Sequence, residues 1–190
     1  MSEIELKAGK LIVVTGPSGV GKGTLLKKLL QQYPDRLLFS ISATTRSPRS
    51  GEENGREYFF WNREEFEQKR DAGEFLEWAE YAGNLYGTPR PPIDQAISLG
   101  QIVLLEIELE GARQVAKSFP TAKRIFIAPP SMEILEARLR QRSTDSDEQI
   151  AKRLEHAKLE VAAADEFNIT IINDDLEIAI EQLEKAMFHD

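Results

Sequence analysis

The apolar run Leu11-Ile12-Val13-Val14 leads directly into Gly16-Pro17-Ser18-Gly19-Val20-Gly21-Lys22-Gly23-Thr24. This order predicts a buried strand, a glycine-rich turn and then a helix over residues 24–32. Glycines let successive backbone N–H groups turn inward around an anion. The helix that follows points its positive end at the same place, and Lys22 adds a full charge that can reach β- and γ-phosphates. The loop therefore reads as a phosphate cradle. It departs from the pattern G-x-x-x-x-G-K-[ST] at one position: Gly23 stands where a hydroxyl usually reaches a magnesium ion. Thr24 is next in line, to serve either another phosphate oxygen or a water on the metal.

Further apolar, β-rich runs at 37–41, 102–107, 124–127 and 169–172 alternate with helical patterns at 110–118, 131–142, 147–164 and 176–187. Short buried strands separated by helices predict a parallel sheet covered on both faces. Ser146-Asp147-Glu148-Gln149 reads as a capping box, and Ile150, Leu154, Ala157 and Val161 then fall on one helix face. The 190 residues, 41% hydrophobic and 29% charged, suit one folded α/β domain. A net charge of −8 argues against general nucleic-acid binding. The absence of cysteine excludes disulfides, thiol catalysis and Cys-based zinc sites. Met1-Ser2-Glu3-Ile4-Glu5 lacks the basic start of a secretion signal, and no apolar stretch reaches membrane-spanning length. The expectation is a soluble cytoplasmic protein with no membrane association and no obligate protein partner.

Residues 42–91 break the rhythm, being rich in Arg, Gly, Pro and aromatics. Tyr58-Phe59-Phe60-Trp61 and Phe75-Leu76-Glu77-Trp78-Ala79-Glu80-Tyr81 read as strands, residues 63–72 as a short helix, and Gly83-Asn84-Leu85-Tyr86-Gly87-Thr88 as a loop. The segment reads as a compact insertion. Arg46 and Arg49, beside Thr44, Thr45 and Ser47, are either a second anion site or a solvated basic loop; arginine suits bidentate phosphate contact. Tyr58 and Tyr86 are either packing residues or phosphate donors. Strand alternation puts Glu77 and Ala79 on one face, opposite Leu76 and Trp78. Glu77 is either solvated or aimed at a base edge. A guanine edge, with donors at N1 and N2, is what a carboxylate would read.

Taken together, these segments resemble guanylate kinases. The likeness rests on Gly16-Pro17-Ser18-Gly19-Val20-Gly21-Lys22, Ser40-Ile41-Ser42-Ala43-Thr44-Thr45-Arg46-Ser47-Pro48-Arg49, Gly51-Glu52-Glu53-Asn54-Gly55-Arg56-Glu57-Tyr58 and Phe75-Leu76-Glu77. It continues through Gly83-Asn84-Leu85-Tyr86-Gly87-Thr88, Gly111-Ala112, Pro129-Pro130-Ser131 and Ile171-Ile172-Asn173-Asp174-Asp175. The resemblance implies a P-loop NTPase-type parallel sheet with helices on both faces (about 8–41 and 92–190), a GMP-binding insertion (about 42–91) and a helical lid (about 138–153). It implies that Arg46, Arg49, Tyr58 and Tyr86 hold the GMP phosphate. Ser42, Glu77, Gly87 and Thr88, with Glu108, would hold and read guanine. Residues 16–24, Arg138, Arg142 and Asn173 would take ATP, and Thr24 and Glu106 would stand near Mg²⁺. Glu106 and Glu108 are glutamates where the family commonly has aspartates.

Arg138, Arg140 and Arg142 end one predicted helix, and Arg153 lies on the next. They are either surface partners of Asp145, Asp147 and Glu148 or lid cations that swing onto ATP; the resemblance implies the lid role for Arg138, Arg142 and Arg153. The implied reaction moves the γ-phosphoryl of Mg-ATP to GMP, and to dGMP, by direct in-line transfer. The catalytic set is Lys22, Arg46, Arg138, Arg142 and Arg153. An ionised phosphate acceptor needs no strong base, so positioning and charge neutralisation suffice. Two alternatives stand beside it. One is a non-catalytic protein-binding relative, which Gly16, Gly21 and Lys22 argue against. The other is a kinase for a different nucleoside monophosphate, suggested by a Gly23-Thr24 pair that resembles adenylate kinases. His156 and His189 read as surface residues.

Overall fold

A computed structural model describes residues 9–141 and 146–189. Its first strand, β1 (Lys10–Thr15), is the apolar run ahead of the glycine loop, and α1 (Lys22–Gln32) follows the loop. Next come β2 (Leu37–Phe39), β3 (Ala43–Thr44), β4 (Phe59–Phe60), α2 (Arg63–Asp71), β5 (Phe75–Tyr81) and β6 (Asn84–Pro89). The chain continues through α3 (Arg90–Ser98), β7 (Ile102–Glu106), α4 (Leu109–Ser118), β8 (Lys123–Ala128) and α5 (Met132–Gln141). It ends with α6 (Asp147–Ala162), a 3₁₀ turn (Ala164–Glu166), β9 (Ile169–Ile172) and α7 (Leu176–Phe188).

The main sheet has the order β2-β7-β1-β8-β9, and every pairing in it is parallel. Alternation along β1 explains why both faces are covered. Ile12 and Val14 meet α1, α5, α6 and α7 through Leu25, Leu29, Leu135, Ile150 and Leu183. Leu11 and Val13 meet α3 and α4 through Ile93, Ala96, Ala112 and Val115. Stretches buried on both sides favour apolar residues throughout, as at Leu11–Val14 of β1 and Ile102–Leu105 of β7.

The second sheet, β4-β3-β6-β5, belongs to the insertion. It packs its own aromatic cluster, with Phe66 stacked on Phe75 at 4.4 Å and Trp61 edge-on to both. Leu76 leaves that cluster and joins the α3–α4 side of the main core. Strand alternation sends the neighbours Phe75 and Leu76 to the two cores, at a point where the β5–β6 register shifts between Phe75 and Glu77. No helix among the described residues is long and apolar enough to cross a membrane.

Two expectations need correction. The segment 83–88, expected as a loop, is β6, paired antiparallel to both β5 and β3. Its signal is weak because Gly83 and Gly87 interrupt it; partner strands supply the order that local propensity lacks. A helix at Arg90–Ser98 was not expected at all. Pro91 and Pro92 fall in its first turn, where proline starts a helix.

Candidate active site

Gly16 follows the buried Thr15, and a Cβ there would lie 2.2 Å from the Ile127 carbonyl oxygen of β8. Only glycine permits the loop to cross the sheet edge so closely. Gly21, the N-cap of α1, has φ +102°, and no side chain caps the helix. Thr24 N and Leu25 N donate to the Gly21 carbonyl, and the positive end of α1 faces the loop with no capping side chain in between. The Lys22 ammonium donates to the carbonyls of Gly16 and Pro17, folding back over the loop it belongs to. Asn173, expected near the adenine, is buried at the end of β9; its amide donates to the Val20 carbonyl at 2.8 Å. That contact braces the loop.

The arginines expected in a lid approach the loop from α5 and α6. Arg138 of α5 reaches the Val20 carbonyl at 3.5 Å, and Arg153 of α6 reaches Ser18 Oγ at 3.3 Å. Arg140 turns instead to Glu136 and Asp147. Arg142 lies outside the described residues. The capping box is present: Ser146 Oγ accepts from Gln149 N, and the Gln149 side chain accepts from Ser146 N.

In the insertion, Glu77 and Thr88 face each other across β5 and β6. Thr88 Oγ1 donates to Glu77 Oε1 at 2.6 Å. Burial pushes the Glu77 carboxyl above its ordinary value, and the Thr88 side chain and backbone pull it back. Gly111 at the start of α4 leaves room for Glu77 Oε2, which would sit 3.2 Å from any Cβ there. Ser42, Tyr58, Glu77, Tyr86 and Gly87 line a cleft of about 500 Å³.

Arg46 sits at the mouth of the insertion over the rings of Tyr58 and Phe60, at 5.6 and 5.8 Å. Glu52 holds it by an ion pair at 3.0 Å, and its other oxygen accepts from the Arg49 backbone at 2.7 Å. The Arg46 hydrogen bond, then that of the Arg49 amide, holds the Glu52 carboxyl below its usual range. Glu52 was not singled out from the sequence. Its spacing after two arginines was the available signal. Arg49 is exposed.

The residues after β7 join the halves. Glu106 and Glu108 line the 500 Å³ cleft, and they also line a second pocket of about 300 Å³ with Gly16, Ser18 and Lys22. Glu106 also borders a groove that contains Gly23. A Cβ on Gly23 would meet nothing within 4 Å, so the missing hydroxyl leaves open space. Among the described residues no cluster of three or more metal-binding side chains exists. Glu106, on the wall of the Gly16–Lys22 pocket, offers a carboxylate oxygen, the kind of hard donor a magnesium ion takes.

A family model described as "Guanylate kinase" matches residues 8–190. The guanylate kinase of Synechococcus elongatus is 56% identical over 183 residues, spanning 96% of this chain and all of that protein. That of Trichormus variabilis is 58% identical over 181 residues, spanning 95% and 90%. The crystal structure of guanylate kinase from Anaplasma phagocytophilum superposes with a TM-score of 0.68 at 32% identity, covering 94% and 84%. The cradle on α1, the carboxylate cleft of the insertion and these likenesses agree, and the chain belongs to the guanylate kinase family.

Proposed function

We propose that the protein transfers the γ-phosphoryl group of Mg-ATP to GMP, and to dGMP, by direct in-line displacement. One observation carries this reading: the glycine loop and the Glu77 cleft share the wall formed by Glu106 and Glu108. A donor phosphate on the loop and an acceptor phosphate at the mouth of the cleft then lie on either side of one short segment.

Residues 42–91 act as the GMP-binding unit and 138–153 as the lid. The guanine sits against Glu77, whose two oxygens offer more lone pairs than Thr88 uses. Adenine would leave that carboxylate facing an acceptor, and sites that read by hydrogen bonding reject such analogues by about 10⁴–10⁵. The acceptor phosphate takes Arg46 from Glu52, with Arg49, Tyr58 and Tyr86 around it. Its own negative charge supplies the nucleophile, so no side chain need remove a proton. The donor phosphates take Lys22 from the carbonyls of Gly16 and Pro17. Arg138, Arg142 and Arg153 meet the charge spread over the transferring group. Glu106 and Thr24 would hold magnesium, which would supply neutralisation of phosphate charge. Lid and insertion close to keep water from competing as acceptor.

Incubation with Mg-ATP and each of GMP, dGMP, AMP, CMP and UMP, following ADP release, tests the reading. Rapid release with GMP and dGMP alone is expected. Equal rates with AMP would remove Glu77 as the base reader, and no transfer to any acceptor would remove the enzyme. Lys22→Ala should abolish most turnover with the fold intact by circular dichroism.

A further inference from the structure

We propose that His156, held in place by Glu160, is a further contact for the terminal phosphate of the nucleoside triphosphate. The proposal rests on the reading of the glycine loop as the ATP site. Arg153, His156 and Glu160 stand at i, i+3 and i+7 on α6 and so share one face of the helix. Arg153 anchors that face to Ser18 of the glycine loop. One turn further on, His156 and Glu160 line the same pocket as Gly16 and Lys22.

Glu160 is the unusual member. It is only 4% exposed, and it is a carboxylate facing a pocket that takes phosphates. A bare negative charge there would repel the ligand, so what stands beside it matters: His156 and Lys22 share its pocket. His156 Nδ1 lies 3.5 Å from Glu160 Oε2. Burial pushes the Glu160 carboxyl up, while His156 and then Lys22 pull it down and Glu108 opposes them. The carboxylate biases the ring toward the orientation with Nδ1 turned to Glu160, leaving Nε2 as the other contact atom. The protonated ring donates from both nitrogens, so Nδ1 stays on Glu160 while Nε2 meets a phosphate oxygen. The charged groups facing the ring are Lys22, Glu106 and Glu108 from the core and Arg153 and Glu160 from its own helix. Glu133 and Glu136 of α5 line a separate groove of α6, with Lys152 and Glu155. His156 is exposed, as the sequence suggested, yet that exposure opens onto the transfer pocket.

The chain has two histidines, His156 and His189, so ring signals can be assigned with one variant. Imidazole NMR spectra are recorded while a magnesium complex of a non-hydrolysable ATP analogue is added to the full-length protein. The expected result is a shift of the His156 ring signals with His189 unmoved, and a smaller shift in Glu160→Gln. In steady-state assays, losing one charge-assisted hydrogen bond through His156→Gln should lower kcat about tenfold, with the KM for GMP nearly unchanged. If the backbone signals of Gly19 and Lys22 move on titration while the His156 ring does not, the proposal is overturned and the ATP site stands. A His156→Gln enzyme with wild-type kcat would overturn it equally. An analogue that moves no signal would remove the ATP site itself, and the proposal with it.

Discussion

Glu77 concentrates acceptor choice in one carboxylate, and its chemistry makes the choice depend on pH. Reading guanine requires the ionised form, whereas burial favours the protonated one and lifts the carboxyl above its ordinary 4.5. GMP affinity should therefore fall as pH drops through that raised value. Calorimetric titration of wild type against Glu77→Gln separates this from protonation of GMP's own phosphate, which both proteins share. The variant should weaken GMP by at least about a hundredfold, leave ATP unchanged, and lose the extra acid limb. Without nucleotide the sign reverses. The folded carboxyl holds its proton more tightly than the unfolded one, so its stabilising contribution is complete below 4.5 and is lost as pH rises through the raised value. At this scale the sequence carried the residue and its strand face. It did not carry Glu52, whose partners Arg46 and Arg49 meet it only because the turn between them folds back.

Elements were legible where apolar periodicity alone sets them. The apolar runs at β1, β7 and β8, buried on both faces, and at the edge strand β9, with one face exposed, place the strands within a residue or so of their expected positions. The insertion was harder because β3 and β4 are two residues each and β6 is broken by glycine. Such strands exist through their partners: Thr44 Oγ1 donates to the Leu85 carbonyl and Thr45 Oγ1 accepts from the Leu85 amide, fixing a register that no local pattern specifies. The start of α6 was fully readable as a capping box. Ser146→Ala should cost about 1 kcal/mol of stability, seen as a lower urea midpoint with an unchanged slope. A loss of activity far beyond that shift would mean the cap also sets the angle at which Arg153 approaches Ser18.

The whole molecule consists of a sheet core and an insertion with separate hydrophobic clusters, bridged by Leu76. The insertion's apolar cluster is separate from those of the core, which allows relative motion about the junction of β5 with α4. Small-angle scattering with GMP and a non-hydrolysable ATP analogue together should give a smaller radius of gyration than the ligand-free protein; identical curves would argue that the cleft and the loop meet without closure. The two anion sites were each legible from residue types. That they share one wall was not, because Glu106 and Glu108 acquire their double role only once β7 lies beside β1.

Gln114 of α4 accepts from the Trp78 amide at 3.1 Å and donates to the Trp78 carbonyl at 3.0 Å, where a neighbouring strand would otherwise bond β5. This side chain acts as a single rung of missing sheet. An open rim on β5 would invite a second copy of the chain to add its own strand. Gln114→Ala should therefore sediment as concentration-dependent dimers or larger species where the parent does not, making one amide on a core helix a guard against self-association.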